Sequence, residues 1–127
     1  MNLNQVTVPS RDLATAVEFY QTLGLQLIVD ALPRYVRFEC PDGGSTFSLH
    51  RVETLPTGEG ISVYFECDDL EERVDRLRAE GIEFELLPTD QSWLWREARL
   101  RDPDGNRLIL YRAGSNRRFP PWRVEAE

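Results

Sequence analysis

Hydrophobic and polar residues alternate with two periods in the first half of the chain. Residues 4–8 alternate in the manner of a strand, and apolar residues then recur at helical spacing over residues 13–20. Ser10 precedes this segment as a predicted N-cap, and Gly24 follows it where a helix would end. We therefore predict a strand and a helix. Three further strands are predicted at residues 25–29, 35–39 and 46–52.

The same order of elements begins again after a short polar stretch. Residues 54–60 hold one proline and two glycines, a composition typical of a linker. Asp68 is then the predicted N-cap of a second helix, which ends at Gly81. Strands are predicted on either side of this helix, at residues 61–67, 83–87, 95–101 and 107–111.

The two halves are related by a constant offset of 57 residues over the first strand and helix. The offset pairs Gln5 with Ser62, Asp12-Leu13 with Asp69-Leu70, and Gly24-Leu25 with Gly81-Ile82. Agreement of caps, apolar spacing and terminal glycine favours duplication over chance. We predict a single domain, 1–127. It comprises module one at 1–53, the linker at 54–60, module two at 61–112 and a C-terminal tail at 113–127.

Composition narrows the functional classes. A chain of 127 residues with 41% hydrophobic and 29% charged residues is typical of one globular domain. The net charge of −7 argues against nucleic-acid partners, and no apolar run is long enough for a membrane, so we predict a cytoplasmic protein. All fifteen basic residues are arginine, which excludes lysine-based chemistry. Cys40 and Cys67 form no CxxC motif.

Two motifs resemble those of the vicinal-oxygen-chelate superfamily, which includes glyoxalases, bleomycin resistance proteins and extradiol dioxygenases. They are Asp-Leu-x-x-x-Val-x-Phe-Tyr-x-x-x-Gly-Leu at residues 12–25 and Asp-Pro-Asp-Gly-Asn at residues 102–106. The resemblance covers residues 3–112. It implies an α+β fold in which two tandem βαβββ modules form a curved mixed sheet, a cup with helices on its outer face. It also implies a small-molecule ligand inside the cup and a homodimer.

The resemblance further implies four metal-ligand positions, and this chain departs from them. The positions are Gln5, Ser48, Ser62 and Ile109. Only glutamine is a ligand type that the metal enzymes of the family use, since serine is a weak ligand and isoleucine is none. We therefore expect no cofactor. The alternative is a divalent metal at a displaced site formed by Gln5, His50 and Glu66.

Strand alternation predicts which other side chains line the cup. The predicted ligand-binding residues are Arg37, Tyr64, Trp93, Trp95, Arg99 and Tyr111. Trp93 and Trp95 are expected on one side of a strand, where they either stack on a planar ligand or are buried in the core or a dimer interface. Arg37 or Arg99 would hold a substrate carboxylate.

Two classes of function follow. The first is a binding protein of the bleomycin-resistance type for a planar or carboxylate-bearing small molecule. The second is a lyase, isomerase or dioxygenase of the same superfamily, with a rearranged metal site or metal-free acid–base chemistry. In the second class the catalytic candidates are His50, Glu66 and Glu97.

Overall fold

The computed structural model describes residues 1–125, and its elements repeat the order βαβββ twice. The elements are β1 (Gln5–Ser10), α1 (Leu13–Leu23), β2 (Gln26–Ala31), β3 (Tyr35–Glu39), β4 (Thr46–Arg51), β5 (Ser62–Glu66), α2 (Leu70–Ala79), β6 (Leu86–Asp90), β7 (Arg96–Arg101) and β8 (Arg107–Arg112). Each copy contains one helix and one four-stranded mixed sheet, which confirms the predicted α+β class. The last two residues of the predicted tail, 126–127, lie outside the described residues.

The chain divides into two compact units that nearly follow the two modules. The first unit contains Met1–Ile61 and Asp102–Asn106, and the second contains Ser62–Arg101 and the residues from Arg107 onward. The strand orders are β1-β4-β3-β2 and β5-β8-β7-β6, with β1–β4 and β5–β8 parallel and the other pairs antiparallel. The two copies therefore share one topology.

Strand register defines equivalent positions in the two sheets. Gln5 lies opposite Thr46, and Ser62 lies opposite Arg107, so Ser48 of β4 is equivalent to Ile109 of β8. The pairings of β3 with β4 and of β7 with β8 extend this equivalence. Tyr35 corresponds to Glu97, Arg37 to Arg99, and His50 to Tyr111.

Each helix covers one face of its own sheet, and the strand residues on that face are buried. In the first unit they are Val36, Phe38, Phe47 and Leu49, and in the second unit Ala98, Leu100, Leu108 and Leu110. Every one of these residues is at most 3% exposed. Burial of such side chains is the main driving force for each sheet–helix pair. The duplication has thus preserved an apolar face in both copies.

The first helix begins two residues later than the sequence pattern predicted. Its N-cap is Asp12, not Ser10, and the Asp12 carboxylate accepts a hydrogen bond from the Thr15 backbone N–H at 3.2 Å. Ser10 still lies in β1, where its hydroxyl accepts from the Asp12 backbone N–H. The N-cap of α2 is likewise Asp69, not Asp68. Gly24 adopts a φ of 109°, which confirms its predicted role in ending α1.

Strand boundaries agree with prediction to within two residues except at β6. The sequence predicted residues 83–87, whereas β6 comprises Leu86–Asp90. Its pairing with β7 contains a register shift between Leu86 and Thr89. The alternation at residues 83–87 is a local pattern, but the extent of an edge strand is set by the neighbour with which it bonds.

A buried phenol–carboxylate hydrogen bond fixes the β7–β8 turn in the first unit. The Tyr20 hydroxyl of α1 donates to Asp102 Oδ2 at 2.6 Å, and both side chains are buried. Asp102 also accepts from the backbone N–H groups of Asp104 and Asn106. Burial, and secondarily the Asp102 charge, raise the pKa of Tyr20. The phenol therefore stays protonated and remains a donor.

Among the described residues, neither helix has the length and hydropathy that a membrane span requires.

Candidate functional site

The face of each sheet opposite its helix, here called the helix-free face, carries most of the predicted site residues. Alternation places them there because their strand neighbours are buried against the helix. On the first unit they are Gln5, Arg37, Ser48 and His50. On the second unit they are Ser62, Tyr64, Glu66, Glu97, Arg99, Ile109 and Tyr111.

A continuous hydrogen-bond network crosses the helix-free face of the first unit. Gln5 Nε2 donates to Ser48 Oγ at 2.8 Å, and Ser48 Oγ lies 2.6 Å from the Tyr35 hydroxyl. Arg37 Nε donates to the same hydroxyl at 2.9 Å. The Thr46 hydroxyl donates to Gln5 Oε1 at the other end. Strands β1, β3 and β4 thus each contribute to one polar cluster.

The hydroxyl protons in this network have one arrangement that leaves no buried donor unsatisfied. Ser48 is fully buried, and within residues 1–125 its hydroxyl has only Tyr35 Oη as an acceptor, because Gln5 approaches it as a donor. An unsatisfied buried hydroxyl costs about 1–3 kcal/mol, so Ser48 donates to Tyr35. Tyr35 Oη therefore accepts from Ser48 and Arg37, and its own O–H remains available for a further acceptor.

The same contacts favour negative charge at the Tyr35 oxygen. Burial alone would raise the pKa of Tyr35, but the hydrogen bonds from Ser48 and Arg37 and the Arg37 charge outweigh it, so the pKa lies below its usual value. The Arg37 guanidinium carbon also lies 5.5 Å from the centre of the Tyr35 ring. Arg37 thus places a positive charge next to the Tyr35 oxygen.

The structure does not test the predicted displaced metal site or the predicted acid–base residues. His50 is exposed at the end of β4, opposite Tyr35 in register, and its side chain forms no hydrogen bond or ion pair with any residue in the described range. Glu66 is exposed on β5 of the second unit. No group of three or more His, Cys, Asp or Glu side chains in residues 1–125 is arranged to hold a metal ion. The site of Gln5, His50 and Glu66 stays a prediction.

The four positions at which the family resemblance implies metal ligands do not fit a divalent cation. The Gln5 amide oxygen already accepts from Thr46, and Ser48 is buried and shared between Gln5 and Tyr35. Ser62 offers one neutral hydroxyl, and Ile109 offers only hydrocarbon. Divalent cations in proteins are held by carboxylate, imidazole or several oxygen ligands, and these positions lack that set.

Three aromatic side chains, here called the aromatic cluster, lie together on the helix-free face of the second unit. The rings of Trp95 and Tyr111 stack with centres 4.7 Å apart and planes 19° apart. Tyr64 meets both edge-on, at 5.7 Å from Trp95 and 5.6 Å from Tyr111. Tyr111 is buried, whereas Tyr64 is 46% exposed. Burial, and secondarily the charge of Glu66, raise the pKa of Tyr111, so its hydroxyl stays protonated.

The two predicted tryptophans do not lie on a strand, contrary to the prediction. Strand β7 begins at Arg96, and residues 91–95 form a turn in which Leu94 has a φ of 69°. Such a conformation is rare for leucine, so the alternating pattern of residues 93–95 did not predict a turn. Trp93 Nε1 donates to Glu97, whereas Trp95 Nε1 donates to the Asn116 carbonyl oxygen of the tail at 3.2 Å.

An ion pair lies beside the aromatic cluster. Glu97 is completely buried, and its Oε1 accepts from Arg99 Nε at 3.2 Å and from Nη2 at 3.0 Å. Its Oε2 accepts from Trp93 Nε1 at 2.8 Å. The carboxylate is thus satisfied by two side chains and holds both in position. A catalytic role for Glu97 remains a prediction.

The two arginines at equivalent positions have different partners. Arg99 neutralises the buried Glu97, whereas Arg37 meets the neutral phenol of Tyr35, which occupies the equivalent position. Among the described residues, Arg37 has no carboxylate partner. Sequence reasoning treated the two as interchangeable, and it gave no role to Tyr35 or Asn116. The Tyr-x-Arg pattern facing Ser48 was the feature that could have identified Tyr35.

Comparisons with known proteins agree with this architecture. Residues 2–110 match the sequence model of the Glyoxalase/Bleomycin resistance protein/Dioxygenase superfamily. The uncharacterized protein YraH of Bacillus subtilis (strain 168) is 29% identical over 127 residues, covering 88% of this chain and 98% of that protein.

Solved structures show the same likeness. A glyoxalase/bleomycin resistance protein/dioxygenase from Nocardioides superposes with a TM-score of 0.78 and 26% identity, covering 98% of this chain and 90% of that one. A bleomycin-binding protein in complex with bleomycin has a TM-score of 0.73 and 23% identity, covering 88% of this chain and 98% of that one, and shares the fold. The match over residues 2–110 shows that the chain belongs to the Glyoxalase/Bleomycin resistance protein/Dioxygenase superfamily.

Proposed function

We propose that this protein binds a small planar molecule against the aromatic cluster of its second unit. The observation that carries the proposal is the partly exposed side chain of Tyr64 beside the stacked pair of Trp95 and Tyr111. Flat apolar walls with few polar groups are typical of small-molecule sites. Most aromatic side chains of a core are buried, so an exposed ring continuous with a stacked pair favours a ligand surface.

The polar groups around the cluster support the same proposal. Glu97 fixes Trp93 and Arg99, and the tail carbonyl of Asn116 fixes the Trp95 indole. Side chains held by such contacts lose little rotational freedom when a ligand binds, so less of the binding energy is spent on ordering them. A pre-organised aromatic surface suits capture of a ligand.

Bleomycin is the first probe, because a protein of this fold has been solved in complex with it. Nile red is the second, as a neutral planar dye that does not respond to the net charge of −7. We expect saturable binding of at least one probe by fluorescence titration. Tyr64→Ala should weaken it about tenfold, the usual cost of losing one stacking ring.

Two control variants separate a site from general hydrophobic adsorption. Tyr64→Phe keeps the ring and should retain the affinity. Ile28→Ala removes an apolar side chain of the first unit with nearly the same exposure, 45% against 46%, and should also retain it. The proposal fails if neither probe saturates, or if Ile28→Ala weakens binding as much as Tyr64→Ala.

We also propose that the protein is a cytoplasmic homodimer, as the family resemblance implies. The described residues present several exposed apolar side chains on strands and loops, among them Leu32, Leu87 and Leu94. Self-association would cover such side chains. Sedimentation equilibrium should return twice the chain mass of 14.7 kDa, and the monomer mass at micromolar concentration would contradict the proposal.

A further inference from the structure

We propose that Tyr35 and Arg37 form a carboxylate-binding site on the helix-free face of the first unit. The aromatic cluster belongs to the second unit, and the present proposal does not depend on the function proposed for that cluster. It uses the positions beside Gln5 and Ser48 where the family resemblance implies metal ligands that this chain lacks. In this proposal, hydrogen-bond donors bind an anion at the place where the family resemblance implies a bound cation.

The first step of the argument is the set of free donors. Tyr35 Oη accepts from Ser48 and from Arg37 Nε, which leaves its O–H to donate outward. The two amino nitrogens of Arg37 have no partner among residues 1–125. Both side chains are partly exposed, so a solute can reach these donors. The groups that Tyr35 and Arg37 leave free are all donors, and such donors select an anionic oxygen ligand.

The second step is the charge that Arg37 retains. At the equivalent position in the second unit, the Arg99 charge is cancelled by the buried Glu97 carboxylate. In the first unit Tyr35 occupies the place of that carboxylate, so no carboxylate at this position offsets the positive charge of Arg37. The sequence left open which of the two arginines holds a ligand carboxylate. Their different partners favour Arg37 over Arg99.

The third step is rigidity. Arg37 Nε is fixed to Tyr35, and Tyr35 is fixed through the fully buried Ser48 to Gln5 and Thr46. A guanidinium held at Nε presents its two amino groups in one plane, which matches the two oxygens of a carboxylate. The geometry points to a small monocarboxylate, or to the carboxylate group of a larger ligand.

The test uses acetate, which has no ring and cannot stack on the aromatic cluster. Arginine side-chain Nε–H resonances are recorded by NMR during titration with sodium acetate, and the Arg37 resonance is assigned from an Arg37→Lys variant. We expect a saturable shift at Arg37, with a dissociation constant on the order of millimolar. Sodium chloride at equal ionic strength should produce no saturable shift.

Two variants and one further anion complete the test. Tyr35→Phe removes only the hydroxyl and should weaken acetate binding roughly fivefold to tenfold. Arg76→Gln removes an exposed arginine of α2 and should leave it unchanged. Unfolding midpoints of the variants establish that each is folded. A shift at Arg99 instead of Arg37, an equal response to chloride, unchanged binding in Tyr35→Phe, or tighter binding of phosphate than of acetate would each overturn the proposal.

If acetate does not bind at Arg37, the function proposed for the aromatic cluster still stands, because Nile red carries no carboxylate. Equally, a chain that binds acetate at Arg37 but no planar probe retains this site and loses the function proposed above. The two experiments therefore fail independently.

Discussion

At the scale of single residues, the role of a charged side chain depends on the one group it meets. Arg37 and Arg99 occupy equivalent positions on equivalent strands, yet one contacts a phenol and the other a buried carboxylate. A buried carboxylate is costly unless it is paired, whereas a phenol is not. Removal of each arginine should therefore have a different effect on stability.

We predict that Arg99→Gln destabilises the protein by about 2 kcal/mol. The substitution leaves Glu97 buried with only the Trp93 donor, and the figure is reduced from the value for a fully buried pair because the Arg99 side chain is 42% exposed. Arg37→Gln should cost less than about 1 kcal/mol, since its partner is neutral. Urea unfolding of both variants measures the difference. Equal losses of stability in the two variants would mean that pairing with Arg99 stabilises the buried Glu97 only slightly.

Side-chain partners were the least predictable property at this scale. Alternation placed Arg37, Glu97 and Arg99 on the correct face because their neighbours are buried against a helix. It could not show that Tyr35 and Glu97 are equivalent, since the offset between the copies changes after the first helix. The residues that matter for the proposed carboxylate site follow from register, which is a property of pairing and not of sequence pattern.

At the scale of elements, a single glutamate ties a helix to two strands in the second unit. Glu71 in the first turn of α2 accepts from Arg96 of β7 at 2.6 Å and from Arg112 of β8 at 2.6 Å. Arg96 and Arg112 are opposite each other in the sheet, so Glu71 also offsets the repulsion between them. The Arg112 hydrogen bond, with a smaller contribution from Arg96, lowers the pKa of Glu71 to about 2.

We predict that Glu71→Gln lowers stability at neutral pH and that the difference disappears in acid. The folded pKa of about 2 lies below the unfolded value of about 4.3, so the stabilisation is present above the unfolded pKa and is lost as the pH falls toward 2. Because the Glu71 side chain is 45% exposed, we expect only about 1 kcal/mol at pH 7. Urea unfolding at several pH values measures it.

Glu72→Gln is the matched control for this prediction. Glu72 lies in the same helical turn and is exposed, so it undergoes the same charge change without the arginine contacts. Its effect should be small at every pH. A Glu71→Gln penalty that persists unchanged at pH 2 would contradict the electrostatic explanation and point to packing instead.

The boundaries of helices and strands depend on different contacts, and this explains the errors in their prediction. A helix is defined by contacts within one segment, so the apolar spacing and Gly24 located α1 closely. A strand is defined by its neighbour. The pattern at residues 83–87 predicted β6 three residues too early, and the alternation of Trp93 and Trp95 concealed a turn. The exact N-cap of α1 was not predicted, because Ser10 and Asp12 are both residue types that cap helices well.

At the scale of the whole molecule, duplication preserved one face of each sheet and changed the other. The helix-facing residues are apolar in both copies, but the helix-free faces hold a hydrogen-bond network in one unit and an aromatic cluster in the other. The sequence predicted the repeat and the family because both depend on caps, spacing and turns. The chemistry of the two faces needed side-chain contacts.

The same divergence leads to a prediction about metal. The four positions that the family resemblance implies supply one engaged amide, two serine hydroxyls and one hydrocarbon side chain, so Mn²⁺ or Ni²⁺ should gain little from binding there. A cation that binds only the native state raises its unfolding midpoint by several degrees at saturating concentration. We therefore expect either metal, or EDTA, to shift the midpoint by under about 1 °C. Elemental analysis of the purified protein is the decisive complement. Stoichiometric metal that is lost in His50→Ala would overturn this prediction and support the displaced site of Gln5, His50 and Glu66 in its place.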